Sequence, residues 1–310
     1  MGKAERIRRM NARDKIAAQQ AAARQAESRR RMFLAGGSVL AVLVIVVALI
    51  FFKAATNTPA AGPAASSATT ASVTRELSSV PASTLDAVGK GTTNPLIPTK
   101  AQPPLTSGGK PEVVYMGAEY CPYCAAERWA MVVALSRFGT FSNLSLIRSS
   151  NSDVFTNTAT LSFYKSSYTS KYLVFNSVEM NSEKQVGNGY ATLQKPTAAE
   201  SKLMSTYDAP PYVPSSSTGA IPFIDIGNQY LISGSQYLPS ALGTTQAVDS
   251  GHFGLTWSQI ASDLKNPASP VAKDIDGAAN SITAAICKIT NNAPAAVCNS
   301  AAATAGAGSL

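Results

Sequence analysis

Histidine is almost absent from the 310-residue sequence, which contains only His252. One imidazole cannot form a histidine-rich metal site. A Cys–His hydrolase would need His252 beside a cysteine, and no spacing in the sequence indicates this. A glycine-rich phosphate loop, a paired-carboxylate signature and a histidine-containing metal motif are also missing. We therefore expect no cofactor and no bound metal.

Charged residues are scarce outside the first 31 positions. Residues 1–31 contain ten Lys/Arg and three Asp/Glu, whereas the other 279 residues contain sixteen and fifteen. A basic tail therefore precedes a nearly neutral body, which argues against nucleic acid as a partner of the main domain. We interpret residues 1–31 as a cytoplasmic tail that sets membrane orientation. Binding of nucleic acid or anionic lipid by this tail is the alternative.

Residues 32–52 contain no charge and lie between Arg29-Arg30-Arg31 and Lys53. A helix of this length can cross a bilayer of roughly 30 Å. The basic residues before it predict a cytoplasmic N-terminus and an extracytoplasmic main domain. We therefore predict a single-pass protein of the cell membrane, with residues 32–53 as the transmembrane helix. Cleavage further along the Ala-rich sequence is the alternative.

The composition divides the rest of the chain. Residues 54–108 are rich in Ala, Pro, Ser and Thr and predict a linker that is partly ordered after about residue 73. Alternating strand and helix patterns predict an α/β domain over 109–266, with an insertion at about 156–214. A helical extension is expected over 267–298, followed by a disordered tail over 299–310.

All four cysteines lie beyond residue 100, and an even number on the outer side of a membrane suits an oxidising compartment. We interpret Cys287 and Cys298 as a structural disulfide, which would stabilise the fold by about 3 kcal/mol in the chain-entropy model. A second redox-active pair and a four-cysteine zinc site are the alternatives.

The other two cysteines form a Cys121-Pro122-Tyr123-Cys124 motif. A β-branched run over 112–118 predicts a strand before it, and an Ala-, Met- and Leu-rich run over 125–138 predicts a helix after it. Cys121 would then lie at a helix N-terminus, where free N–H groups and the helix dipole favour a thiolate. This arrangement suits dithiol–disulfide exchange.

In the expected mechanism Cys121 is exposed and attacks, while Cys124, one turn deeper, resolves the mixed disulfide. Glu127 is a candidate proton relay for Cys124, although a solvent-exposed helix carboxylate is the simpler interpretation. Glu119 would oppose the helix dipole at Cys121, so the direction of electron flow stays open. A structural disulfide or half of a metal site is the alternative for the pair.

The order of strand, CxxC, long helix, Ile221-Pro222, hairpin and final helix resembles the thioredoxin superfamily over roughly residues 110–265. The segment Gly117-Ala-Glu-Tyr-Cys-Pro-Tyr-Cys-Ala-Ala-Glu-Arg-Trp129 is similar to a prokaryotic family of membrane-anchored, thioredoxin-like proteins of unknown function. The resemblance implies a central mixed sheet flanked by helices. It also implies a cis-proline at Pro222 and substrate contacts from Ile221 and Pro222, to which Tyr123 is added as a rim residue.

These observations predict a membrane-anchored, extracytoplasmic thiol–disulfide oxidoreductase. Its expected partners are exported cysteine-containing proteins and a membrane quinone-linked thiol oxidase or reductase that recycles it. The alternative is a non-catalytic thioredoxin-like surface module whose disulfides are structural.

Overall fold

The structure is a computed structural model, and it describes residues 64–99, 102–246 and 253–310. The predicted basic tail at 1–31, the predicted transmembrane segment at 32–53 and His252 lie outside these ranges. Within them, no helix has both the length and the apolar character needed to cross a bilayer.

The described residues form a mixed α/β structure. Its helices are α1 Ser67–Leu77, α2 Ala82–Val88, α3 Pro122–Ser136, α4 Ala198–Tyr207, α5 Trp257–Asp263, α6 Pro270–Ile289, α7 Ala295–Cys298 and α8 Ala301–Gly306. Its strands are β1 Ile97–Pro98, β2 Thr106–Ser107, β3 Lys110–Gly117, β4 Gly139–Ser142, β5 Ser145–Arg148, β6 Ala159–Ser162, β7 Ser167–Ser170, β8 Val174–Glu179, β9 Asn181–Val186, β10 Gly189–Thr192, β11 Phe223–Ile226 and β12 Tyr230–Ser233.

The main sheet is built around β3. Strand β8 pairs with β3 in parallel, whereas β11 pairs with its other edge in antiparallel orientation and continues to β12 and β1. Side chains alternate along a strand, so Val113 and Tyr115 join one apolar cluster while Val114 and Met116 join another. Both faces of β3 are therefore covered.

Helix α3 packs against the first face of the sheet, and the long helix α6 packs against α3. The second face meets Tyr207 at the end of α4, with Leu203 and Met204 at its margin. Because residues on nearly every side of α3 are buried, its N-terminus is held in a fixed position at the end of β3.

The segment before β3 is more ordered than the partly ordered linker that the composition predicts. Helix α1 begins at Ser67, where Ser66 caps it by accepting a hydrogen bond from the Thr69 N–H. Val73 and Leu77 of this helix are buried, and Glu76 forms an ion pair with Lys265 beside α5. This Ala-rich segment therefore contains two apolar side chains, one helical turn apart, that pack against the core.

The prediction of a disordered tail over 299–310 is wrong. Ser300 caps α8, and Ala302 and Ala303 are buried against α6. Small side chains let the two helices approach closely, because a Cβ on Gly306 would collide with the Asn280 backbone. The predicted disulfide between Cys287 and Cys298 is present, and it joins α6 to α7.

Short sequence patterns for helix caps and turns have the expected structures. Thr256 and Gln259 form a capping box at the start of α5, in which each side chain accepts a hydrogen bond from the other residue's backbone N–H. Strands β11 and β12 turn at Gly227 and Asn228, which both have positive φ angles. Tyr168 lies in β7, where its ring packs against Phe141 and Phe175. The hairpin of β9 and β10 was not predicted.

Gly277 in α6 tests the close packing of this helix against the segment after α2. A Cβ at this position would lie 2.8 Å from the Gly91 Cα and 2.9 Å from the Lys90 carbonyl oxygen. Alanine favours a helix over glycine by about 1 kcal/mol. We nevertheless expect Gly277→Ala to lower the free energy of unfolding by about 1–3 kcal/mol, because both contacts are with backbone. Urea denaturation measures the change.

Gly308→Ala is the matched control, since no atom lies within 4 Å of its added Cβ. A Gly277→Ala variant more stable than the natural chain would mean that helix propensity outweighs the contact with Gly91.

Candidate functional site

The CxxC motif lies where the sequence places it, between β3 and α3. Cys121 is the N-cap of α3, and its Sγ accepts a hydrogen bond of 3.2 Å from the Cys124 N–H. Pro122 occupies the first helical turn, where its missing N–H costs nothing. Cys121 and Cys124 are both free thiols.

The expectation that Cys121 is solvent-exposed is wrong. Only 5% of its surface is accessible, because Tyr120, Tyr123 and Ile221 pack around the cluster of Ala118, Cys121 and Cys124. These three covering residues are themselves partly exposed. The sulfur of Cys121 thus lies directly beneath a layer of side chains, and a reaction partner must displace that layer or use the small remaining opening.

The loop before β11 faces the cysteines. The Ile221–Pro222 peptide bond is cis, as the resemblance predicts, and the Cys121 Sγ donates to the Ile221 carbonyl oxygen over 3.6 Å. The structure therefore brings together four of the predicted site residues: Cys121, Cys124, Ile221 and Tyr123, with Pro222 next to Ile221.

Cys124 is fully buried beside a buried ion pair that the sequence analysis missed. Arg128 lies one helical turn beyond Cys124 and binds Glu179, at the end of β8, through two bonds of 2.8 Å. Its Nη2 also donates to the Ala118 carbonyl at 2.7 Å. Burial raises the pKa of the Cys124 thiol well above its ordinary value, as does its neighbour Cys121, whereas the Arg128 charge acts in the opposite direction.

Glu119 is a second buried carboxyl near the motif. Its Oε1 accepts a hydrogen bond of 2.5 Å from the Ser162 hydroxyl. Burial raises the pKa of Glu119 to about 7, while the Ser162 bond and the Arg128 charge lower it. Glu119 therefore carries a full charge only above neutral pH, which weakens the expected opposition to the helix dipole under neutral conditions.

A hairpin within the predicted insertion and the loop just before that insertion flank the motif. In the β9–β10 hairpin, Tyr190 stacks on Tyr120 with ring centroids 4.0 Å apart, and its hydroxyl donates to Ser150 at 2.8 Å. In the loop between β5 and β6, Phe155 packs edge-on against Tyr123. The hairpin is also tied to the motif through the Glu119 N–H, which donates to the Asn181 carbonyl.

Glu127 does not lie on an exposed helix face, so that interpretation is wrong. Its side chain is fully buried, and one carboxylate oxygen accepts a 2.8 Å bond from the Gln236 N–H. The other oxygen has no hydrogen-bond partner among the described residues. Burial raises the pKa of Glu127 to about 7. Its hydrogen bond comes from Gln236 and not from Cys124, so the relay role receives no support.

A zinc site formed by four cysteines is incompatible with the structure, because Cys287 and Cys298 are bonded to each other. Elsewhere in the described ranges, no cluster of three or more His, Cys, Asp or Glu side chains is arranged to hold a metal. A groove of about 770 Å³ lies between α1 and residues 143–146, and no cysteine lines it.

The fold and the site define a mixed α/β protein with a CxxC dithiol at a helix N-terminus. Residues 99–288 match the model of a protein family described as "Domain of unknown function (DUF929)", and the chain belongs to this family. No curated protein and no solved structure matches the chain.

Tyr123 is one of the three residues that restrict access to Cys121. Tyr123→Ala should increase the rate at which iodoacetamide alkylates Cys121 several-fold, because the ring packs against the thiol cluster. Peptide mass spectrometry of the reduced protein measures this rate at each cysteine. Tyr164→Ala, which removes a partly buried ring outside that cluster, is the control. Equal rates in the two variants would show that Tyr123 does not restrict access.

The buried carboxyl of Glu127 predicts a pH dependence of stability. Its pKa is raised from 4.5 to about 7 in the folded protein, so the folded state keeps a proton that the unfolded state has lost. The free energy of unfolding should therefore fall as pH rises from about 4.5 to about 7. Glu127→Gln mimics the protonated form and does not lose this stability. Its free energy of unfolding, relative to that of the natural chain, should therefore be up to about 3 kcal/mol higher at pH 8 than at pH 4.

Denaturant unfolding at both pH values checks this expectation. Glu183→Gln is the control, because Glu183 is exposed on β9. If Glu127→Gln changed stability equally at pH 4 and pH 8, the carboxyl of Glu127 would not titrate between those values in the folded protein.

Proposed function

We propose that this chain is a thiol–disulfide oxidoreductase with a thioredoxin-like fold, in which Cys121 attacks and Cys124 resolves. The observation that carries the proposal is the free dithiol at the start of α3, with the Cys121 sulfur bonded to the Cys124 N–H and facing the cis Ile221–Pro222 peptide.

The topology supports the thioredoxin-like part of the proposal. The chain passes from β3 into the CxxC and α3 and returns in β8, parallel to β3. It then reaches the antiparallel pair β11 and β12 through the loop that contains Pro222. The strand, CxxC, long helix, Pro222 loop and hairpin follow the order on which the resemblance to the thioredoxin superfamily rests, and the parallel pairing of β8 with β3 adds to it.

The helix N-terminus supports the chemistry. Backbone N–H groups at the first turn have no partner within the helix, so they stabilise negative charge on an N-cap side chain. In the proposed reaction the Cys121 thiolate attacks a substrate disulfide, forming a mixed disulfide and releasing one substrate thiolate. The Cys124 thiolate then attacks the Cys121 sulfur, which forms the Cys121–Cys124 disulfide and releases the second substrate thiolate.

Two electrons pass from the dithiol to the substrate, and the protons lost by the two cysteines reach the two substrate thiolates through water. The same steps in reverse oxidise a substrate dithiol. The proposal covers both directions, since the chemistry of the two sulfurs is the same in each.

The backbone at Ile221 offers a place for an extended substrate. Its N–H has no hydrogen-bond partner among the described residues, and its carbonyl accepts only the weak bond from Cys121. A substrate strand that pairs with Ile221 would bring its own sulfur to Cys121, between Tyr123 and Tyr120. Both rings belong to the apolar cover of the thiols.

The location of the enzyme is part of the proposal. The uncharged run 32–52 would anchor it to the cell membrane, with the dithiol domain on the outer side. Exported cysteine-containing proteins would be its substrates there, and a membrane quinone-linked thiol oxidase or reductase would recycle it. The Cys287–Cys298 disulfide agrees with an oxidising compartment.

The near-complete burial of Cys121 favours a second candidate, a non-catalytic module that binds partners through its surface. The two candidates differ in thiol reactivity. A catalytic pair is oxidised and reduced quickly and reversibly in the native state, whereas buried structural thiols react only when the protein opens. Titration with a disulfide reagent under native conditions distinguishes them.

Exchange assays with cysteine variants test the proposed function. Cys121→Ala should reduce both insulin reduction and the oxidative refolding of a reduced substrate to the uncatalysed rate, since it removes the attacking sulfur. Cys124→Ala should accumulate mixed disulfides with substrate, because nothing resolves them. Non-reducing gels and mass spectrometry detect these adducts.

The double variant Cys287→Ala and Cys298→Ala is the control, and it should keep the exchange rate because that disulfide lies between α6 and α7, outside the thiol cluster. Full activity in both Cys121→Ala and Cys124→Ala would refute the proposed function. Loss of activity in the control alone, with its fold intact by circular dichroism, would mean that Cys287 and Cys298 carry out the exchange.

A further inference from the structure

The ion pair of Arg128 and Glu179 is unusual in its position. Helix α3 is otherwise almost wholly apolar after Glu127, yet Arg128 is completely buried, as is Glu179. Burying two charges is costly unless every polar group is satisfied. Stability alone therefore does not explain why this pair is buried here.

Arg128 is not fully satisfied. Guanidinium has five N–H donors. Nε and Nη2 bind Glu179 and the Ala118 carbonyl, whereas the buried Nη1 has no hydrogen-bond partner among the described residues. A buried positive group thus keeps unused donor capacity beside the dithiol.

The connection to the cysteines runs through Ala118. The Ala118 carbonyl accepts bonds from both Arg128 Nη2 and the Cys121 N–H, and Ala118 packs directly against Cys121 and Cys124. Cys124 and Arg128 are four residues apart on α3, so they lie on the same helix face. The guanidinium is therefore fixed at the base of the thiol pair.

We propose that Arg128 stabilises the buried thiolate of Cys124 during the resolving step and that Glu179 limits this effect by holding and partly neutralising the guanidinium. This inference rests on the proposed function and extends it to a positioning residue. The step itself is unchanged: Cys124 loses its proton to the first substrate thiolate through water, and its electron pair forms the bond to the Cys121 sulfur.

The other titratable groups around Cys124 do not offer a comparable positive charge. Tyr115 of β3 and Tyr120 of the motif loop are phenols, and burial raises the pKa of Tyr115 well above its usual value and that of Tyr120 to about 12. Glu119 on the same loop becomes negative above its pKa of about 7. Cys121, when ionised, opposes a thiolate on Cys124. Among these neighbours the favourable charge comes from Arg128.

The test measures the ionisation of Cys124 without any substrate. In the full-length Cys121→Ser protein, which removes the competing thiolate, the ¹³Cβ chemical shift of Cys124 is followed as pH rises. Adding Glu179→Gln should lower the titration midpoint by about one pH unit or more, because it leaves the Arg128 charge unopposed. Adding Arg128→Met should raise the midpoint.

Shifts of opposite sign separate an electrostatic effect from structural damage, which would move both variants the same way. Arg128→Lys keeps the charge and should stay closer to the parent than Arg128→Met. Far-UV circular dichroism and the urea unfolding midpoint of each variant report whether the fold is intact. If Arg128→Met does not fold, the titration midpoint of Cys124 in Glu179→Gln alone tests the proposal. An unchanged or raised midpoint in Glu179→Gln overturns the proposal.

A second measurement connects the ionisation to the chemistry. With Cys121 present, an aromatic disulfide reagent releases one equivalent of thiolate when it forms the mixed disulfide and a second when Cys124 resolves it. Glu179→Gln should move the pH profile of the second release downward and leave the first release unchanged. Absence of any release would refute the proposed function, whereas the titration of Cys124 would still test the Arg128 inference.

Discussion

The burial of α3 on almost every side is the constraint on which the rest of the structure depends. This helix lies between the main sheet and α6, so its two consecutive charged residues, Glu127 and Arg128, must find partners inside the protein. They do so in different directions. Glu127 binds the backbone of Gln236, and Arg128 binds Glu179 and Ala118. The Arg128 bond to Ala118 joins α3 to the end of β3, and the Glu127 bond joins it to the backbone at Gln236, so the helix that has Cys121 as its N-cap is held on two sides.

The same constraint explains why the insertion belongs to the site. Glu179 ends β8, and the chain continues at once into the β9–β10 hairpin, which returns Tyr190 to the ring of Tyr120. The ion pair thus fixes the base of the hairpin, and the hairpin supports Tyr120, which is one of the residues that cover the thiols. The ion-pair residue Glu179 and the hairpin that supports Tyr120 therefore both lie at the end of β8.

The dithiol motif and parts of the fold were predictable because their signals are local. The CxxC between a strand pattern and a helix pattern, the Thr256 capping box and the Gly227-Asn228 turn depend on neighbours in sequence. The burial of Cys121, the Tyr120–Tyr190 stack and the partners of Glu127 depend on contacts between distant segments, which spacing does not reveal. Arg128 had a usable signal, since a charge in the apolar run after Cys124 implies a buried partner. Helix α8 had little signal, because its order comes from two alanines packed on α6.

The Cys287–Cys298 bond has a practical consequence for following the protein in its own environment. The chain has four cysteines, and this bond removes two of them from the pool of free thiols. Any thiol-labelling reagent added after denaturation without reductant therefore counts only Cys121 and Cys124. The mass gained per molecule, either zero or two labels, directly gives the fraction of the population that is oxidised in a cell extract.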